Sequence, residues 1–108
     1  MLIAEAILLF VDIIMMAADD WGSQNNTFAS PQVYRDLFLP YRRLLNDACH
    51  EIAPGTKLFL HSCGAIYDLI DLIAESGFDI LNPVQWPAGG HTYQEWKDRA
   101  RGKLALWG

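Results

Sequence analysis

Basic side chains are scarce in this chain. Eight Lys and Arg stand against 13 Asp and Glu in 108 residues, for a formal net charge of −5, and the densest basic cluster is the pair Arg42-Arg43. Proteins that track a phosphate backbone need many such side chains, so nucleic acid is not an expected partner. An acidic surface also argues against anionic membranes. Cysteine is equally sparse, with only Cys49 and Cys63. Two thiols do not make a disulfide framework, and a reducing cytoplasm is the expected compartment. The glycine-rich fingerprints of dinucleotide and P-loop sites do not follow any of the strand-like segments, which argues against both kinds of nucleotide binding. Internal repeats, linkers and low-complexity tracts are missing too. The length suits a single domain over residues 1–108.

What is abundant is apolar surface, at 52% of residues. The first eighteen residues are especially apolar, interrupted by Glu5 and Asp12, and the first positive side chain is Arg35. A secretory leader opens on basic residues, and a membrane-spanning helix wants about 20 apolar residues. The run therefore reads as a buried helix over 2–9 followed by a buried strand over 10–18. Such continuous apolar strands are typical of parallel sheets covered on both faces.

Beyond a polar loop, Ser30-Pro31 has the form of a helix start, with Ser as N-cap and Pro in the first turn. Apolar residues at 34, 37, 38, 41, 44, 45, 48 and 52 then mark one helical stripe. Pro40 lies within it and is expected to kink the helix. Strands follow at 57–60, 78–81 and 103–107. Between them lie a helix marked by Ile66, Leu69, Ile70 and Ile73, with Gly77 just past its end, and another opened by a Thr92–Glu95 capping box, with Tyr93, Trp96 and Ala100 on one face. Strands alternating with helices imply an α/β fold with a parallel sheet and right-handed crossovers. Polar and glycine-rich residues gather after the strands, as at the mouth of a (β/α)8 TIM barrel, of which four strands would form a part. Periodicity alone does not separate such a half-barrel from an open doubly wound sheet. A half-barrel would leave two strand edges unpaired, so self-association through them is expected.

Three places could carry chemistry. In His61-Ser62-Cys63, side chains two apart on an extended segment point the same way, and imidazole nitrogen and thiolate sulfur are preferred zinc ligands. The bland alternative is a hydrogen-bonded His beside a small buried Cys. Asp19-Asp20, after the first strand, could bind a cation, orient a His or serve as acid and base, or could cap the loop backbone and be solvated. Asn82 and Gln85 could orient a substrate, although Asn-Pro after a strand is also turn chemistry. Cys49, His50, Trp96 and His91 read as packing, surface or loop structure. Trp107 could line the mouth, with burial the simpler account.

In this order, several stretches resemble the uroporphyrinogen decarboxylase superfamily. They are Asp19-Asp20-Trp21-Gly22-Ser23-Gln24, Ser30-Pro31 with Tyr34-Arg35, Leu39-Pro40, His61-Ser62-Cys63-Gly64, the run from Gly77 to Gln85, Trp96-Lys97 and Leu106-Trp107-Gly108. The resemblance spans nearly the whole chain, whereas family members are roughly three times longer, so it implies a partial barrel. It implies one of two chemistries. The first is zinc-dependent methyl transfer from a corrinoid to a thiol. In that branch His61 and Cys63 match a His-x-Cys metal pair, and the third ligand, a distant Cys, would lie beyond Gly108. A carboxylate of Asp19 or Asp20 could substitute for it, or could fix the tautomer of His61. The second chemistry is metal-free decarboxylation of uroporphyrinogen. The decarboxylases carry a different motif in the first loop, so the methyltransferase-like branch is favoured. The resemblance further implies catalytic roles for Asp19 and Asp20 and substrate contacts from Trp21, Gln24, Asn82 and Gln85. The expected partners are a small-molecule substrate or a corrinoid protein. An inactive truncated copy is the non-enzyme alternative. Gly89-Gly90-His91-Thr92 departs from the usual pattern and leaves the substrate open.

Overall fold

Four short strands form one sheet in the computed structural model, which describes residues 10–16 and 20–108. They are β1 (Ile13–Met16), β2 (Lys57–His61), β3 (Ile80–Asn82) and β4 (Ala105–Leu106), in spatial order β1-β2-β3-β4 with every pair parallel. Sequential order without reversal is that of a partial (β/α) barrel, not of a doubly wound sheet, whose order switches midway. The helix expected over 2–9, and Ala17 and Ala18 of the first expected strand, lie outside the described residues.

The strands sort their side chains by the period of two. On one face Ile14, Met16, Leu58, Leu60, Leu81 and Leu106 pack with Ile66, Leu69, Ile70, Ile73 and a fully buried Trp96. This is the core, built between sheet and helices. On the other face, which in a barrel looks toward the axis, Ile13, Met15, Phe59 and Trp107 line a shared apolar hollow.

Helix α1 is built from three contiguous segments, Pro31–Val33, a π-helical stretch Tyr34–Phe38, and Leu39–Ile52. Ser30 caps it, its side chain accepting from the Val33 N–H at 3.2 Å. The expected apolar stripe is not its buried face. Tyr41 and Leu44 are 75% and 73% exposed, and Leu37 and Leu45 are exposed too, while the inward positions are Tyr34, Asn46, Cys49 and His50. The reason is the π turn, in which the Leu39 N–H bonds to the Tyr34 carbonyl, five residues back. One residue is thereby inserted into the helical count, which rotates everything after it by about 100°. The buried series shifts from 41, 45, 48, 52 to 42, 46, 49, 53. Pro40 explains the position of the insertion. Its ring would collide with the carbonyl of Asp36 in a regular helix, and the wider turn just before it relieves the collision.

The inward face of α1 is consequently polar and is pinned by hydrogen bonds, although the buried Asn46 Oδ1 is left without one. Asn46 Nδ2 donates to the Ser76 carbonyl at 2.8 Å, and the hydroxyls of Tyr34 and Ser76 are 2.9 Å apart. Burial pushes the Tyr34 phenol above its ordinary pKa, with Ser76 opposing. His50 Nε2 donates to Asp79 Oδ2 at 2.7 Å, and the same oxygen accepts the Leu58 N–H at 2.8 Å.

Helix α2 (Ile70–Glu75) is entered through a 3-10 turn, Tyr67–Leu69, and stops at Gly77, whose φ of +95° suits a residue without Cβ. Helix α3 (Tyr93–Ala100) has the expected Thr92–Glu95 capping box. Trp96 and Ala100 are its buried face, whereas Tyr93, expected beside them, is 43% exposed. On the outer surface Asp71 binds both Arg99 and Lys103, and these two cations hold its carboxyl below the ordinary range. No helix of the described residues is long and apolar enough to cross a membrane.

Asp79 is the anchor to test. Replacing it by Ala leaves the buried Leu58 N–H without an acceptor, so Asp79→Ala is expected to lower the unfolding free energy by about 1–3 kcal/mol in urea denaturation. His50→Ala, which spares the Leu58 bond, should cost less.

Candidate functional site

The site is assembled by parallel register. His61 at the end of β2 lies opposite Asn82 at the end of β3, and directly paired residues of parallel strands present their side chains on the same face. The continuing register brings Trp107 level with both, since Leu81 pairs Leu106 and the Trp107 N–H donates to the Leu81 carbonyl at 2.9 Å. His61, Asn82 and Trp107 thus form one layer at the carboxyl ends of three strands, the end at which barrel enzymes place their chemistry.

Asn82 sets the protonation pattern of this layer. A backbone carbonyl can only accept, so the atom of Asn82 facing the Trp107 carbonyl at 2.9 Å is its Nδ2 amide. Its Oδ1 then faces His61 Nδ1 at 2.7 Å and must accept from it. The proton of neutral His61 is therefore on Nδ1, and the lone pair is on Nε2. That lone pair points to Cys63, whose Sγ is 3.3 Å from Nε2.

Asp20 completes the group from the β1 loop. Its Oδ1 accepts the Cys63 N–H at 3.0 Å. One ligand atom each from Asp20, His61 and Cys63 lie within 4.8 Å of one another. The two loops are held together backbone against backbone. A Cβ on Gly22 would sit 2.5 Å from the Ala65 nitrogen and 2.7 Å from the Cys63 carbonyl oxygen, and Gly64, at φ +88°, abuts Gly22 in turn. The Ala65 N–H donates to the Ser23 carbonyl at 2.7 Å, and the Trp21 N–H to Ser62 Oγ at 3.1 Å. Glycine at 22 and 64 is what allows Asp20 to approach Cys63.

Oxygen, imidazole nitrogen and sulfur are a donor set that could hold one zinc ion if the three atoms, now within 4.8 Å of one another, draw closer. Metal–ligand bonds of about 2.0–2.3 Å put adjacent donors of a tetrahedral site roughly 3.3–3.8 Å apart, and three protein donors leave a fourth position for a substrate. Without a cation, the Cys63 thiol is pushed above its ordinary pKa, first by desolvation and then by the charge and hydrogen bond of Asp20. A bound cation reverses that sign, because it favours thiolate.

Of the other residues expected here, Asp19 lies outside the described residues. Gln85 is at the mouth, its Oε1 accepting the Gly64 N–H. Gln24 contributes its carbonyl, which accepts the Gly89 N–H at 3.1 Å, while its side chain is exposed. Trp21 turns away from the mouth. Its indole packs edge-on against Tyr34 and Phe38 at 5.1 and 4.6 Å, on the helix side of the sheet. The partner that fixes the His61 tautomer is Asn82, not a carboxylate of the β1 loop. Trp107 is 54% exposed, not buried, and meets Phe59 edge to face at 5.5 Å. The signal for both residues was their place at strand ends, since Asn82 ends β3 opposite His61 and Trp107 directly follows β4.

A parallel sheet in sequential order, with its polar constellation in the loops after the strands, defines an α/β barrel-type protein. More narrowly, the chain matches the family model described as uroporphyrinogen decarboxylase (URO-D) over residues 3–106, and it belongs to that family. No curated protein and no solved structure matches it.

The Asp20–Cys63 relation has a direct readout. With a chelator present, Asp20→Asn removes the charge that raises the thiol pKa, so more Cys63 is thiolate at pH 7.5. Its alkylation by iodoacetamide, followed by peptide mass spectrometry, should accelerate severalfold. Cys49, held high by burial alone, should be unaffected and serves as internal control.

Proposed function

We propose that this chain carries the zinc-binding part of a methyltransferase-like member of its family, which transfers a methyl group from a corrinoid to a thiol acceptor. The observation that supports this reading is the convergence of Asp20, His61 and Cys63, with the free lone pair of His61 turned toward the thiol. Zinc in that group would supply a positive charge that makes an acceptor thiol ionise at neutral pH, the form in which sulfur is nucleophilic.

The chain's own residues have separable roles in this reading. His61 offers Nε2 as a neutral donor. Asn82 holds the imidazole in that tautomer and orientation, the role an outer partner plays at metal sites generally. Cys63 offers sulfur, and Asp20 offers a carboxylate in addition to fixing the Cys63 backbone. Gly22 and Gly64 keep the two loops in contact.

Zinc titration against a chromophoric chelator tests the reading. The expected result is one zinc per chain, with binding lost in His61→Ala and in Cys63→Ala. Asn82→Ala keeps all three ligands and should weaken binding by roughly 10–100-fold. Binding that survives both ligand substitutions, or is undetectable in wild type, overturns it.

A further inference from the structure

Trp107 is an exposed aromatic ring in the same layer as the metal-binding candidates, and nothing in the roles assigned so far uses it. Its carbonyl is tied to Asn82, which in turn holds His61, so the position of the ring is coupled to theirs. Below it lies Phe59, edge to face at 5.5 Å and two residues before His61 on β2. Phe59, Trp107, Ile13 and Met15 line a hollow of about 320 Å³ with almost wholly apolar walls, and Trp107 joins it to the layer of His61 and Asn82. Charge around this opening is of one sign. The eight basic side chains ride on α1, on α3 and the turn after it, or at the entry to a strand, as Lys57 and Lys103 do. Among the described residues none lies in a loop that follows a strand, where Asp20 is the charged group beside His61 and Cys63.

We propose that Trp107 is a specificity-determining residue that contacts the substrate and that, with Phe59 beneath it, receives an uncharged aromatic group of that substrate. The inference rests on the mouth being the substrate site, as proposed above, and adds the chemical class of what enters it. A ring entering the hollow meets the face of Trp107 and the edge of Phe59, with the Met15 thioether alongside, contacts that favour aromatic over aliphatic groups. In the metal-free chain, a ring bearing several carboxylates would lose its hydration beside Asp20 with no compensating charge.

Saturation-transfer NMR on the full chain, with zinc absent, provides the test. Anisole and benzene-1,3,5-tricarboxylate are the probes. Anisole is expected to receive saturation and the tricarboxylate is not. Trp107→Ala should reduce the anisole signal about fivefold, in line with the loss of an aromatic pair, and Trp107→Phe should retain most of it. Tyr93→Ala, which removes an equally exposed ring on α3, should leave it unchanged, and amide dispersion in each variant verifies folding. An anisole signal indifferent to Trp107→Ala, one reduced equally by Tyr93→Ala, or a tricarboxylate signal as strong as that of anisole overturns the proposal. Because no metal is needed, the two readings fail separately. Anisole binding without zinc binding sinks the metal reading, and zinc binding without anisole binding sinks this one.

Discussion

The carboxamide of Asn82 is the group on which the candidate site depends. It sits in parallel register between the ends of β2 and β4 and uses both of its polar atoms, one toward the Trp107 carbonyl and one toward the His61 ring. Because a carbonyl can only accept, the first contact dictates the second, and the second dictates which imidazole nitrogen is free. A carboxylate at this position could not do the same. It would have no donor for the Trp107 carbonyl. A neutral amide between a carbonyl and a ring N–H fixes the proton on Nδ1 and gives the ring one defined face, with no buried charge.

Backbone contact plays the corresponding part for Asp20. The β1 loop lies on the β2 loop with glycine on both sides, and the polar groups there are spent on one another: Ala65 on Ser23, Trp21 on Ser62, Cys63 on Asp20. The three potential ligands therefore come from the end of β2 and from two loops held together by main-chain contacts. This distinguishes the group from an accidental cluster of surface carboxylates. It also places two of the three, His61 and Cys63, in a partly buried setting where a cation would be screened less by water.

Much of the architecture could be read from the residues. Strand–helix alternation, the Ser30 cap, the Thr92–Glu95 box and the turn at Gly77 are local signals, and local signals survive folding. The pair His61 and Cys63 was legible for the same reason, since a period of two is a property of the strand itself. What escaped was set by non-local geometry. Trp21 follows a strand and looks like a mouth residue, but two rings on α1 capture its indole. Asn82 was legible as a residue at the mouth, but its hold on His61 shows only once the register puts the two opposite each other. Trp107 looks like a buried strand end until the sheet shows which of its faces the helices cover. The family match extends over the same span as the resemblance of the motifs, and it fixes kinship without choosing among the chemistries the family performs.

Helix α1 shows how far one residue can reach. Its sequence holds two complete longitudinal faces, one apolar through Tyr41, Leu45 and Ile52, the other through Asn46, Cys49 and His50, set about a third of a turn apart. The π turn at Tyr34–Phe38 works like a vernier between them, selecting which face meets the sheet. Selecting the polar one gives the helix a partner-specific seam, since Asn46 Nδ2 donates to Ser76 and His50 to Asp79. An apolar seam would slide. The hydrogen-bonded one has a single position, and it transmits that position through Asp79 to the start of β2, whose far end holds the histidine.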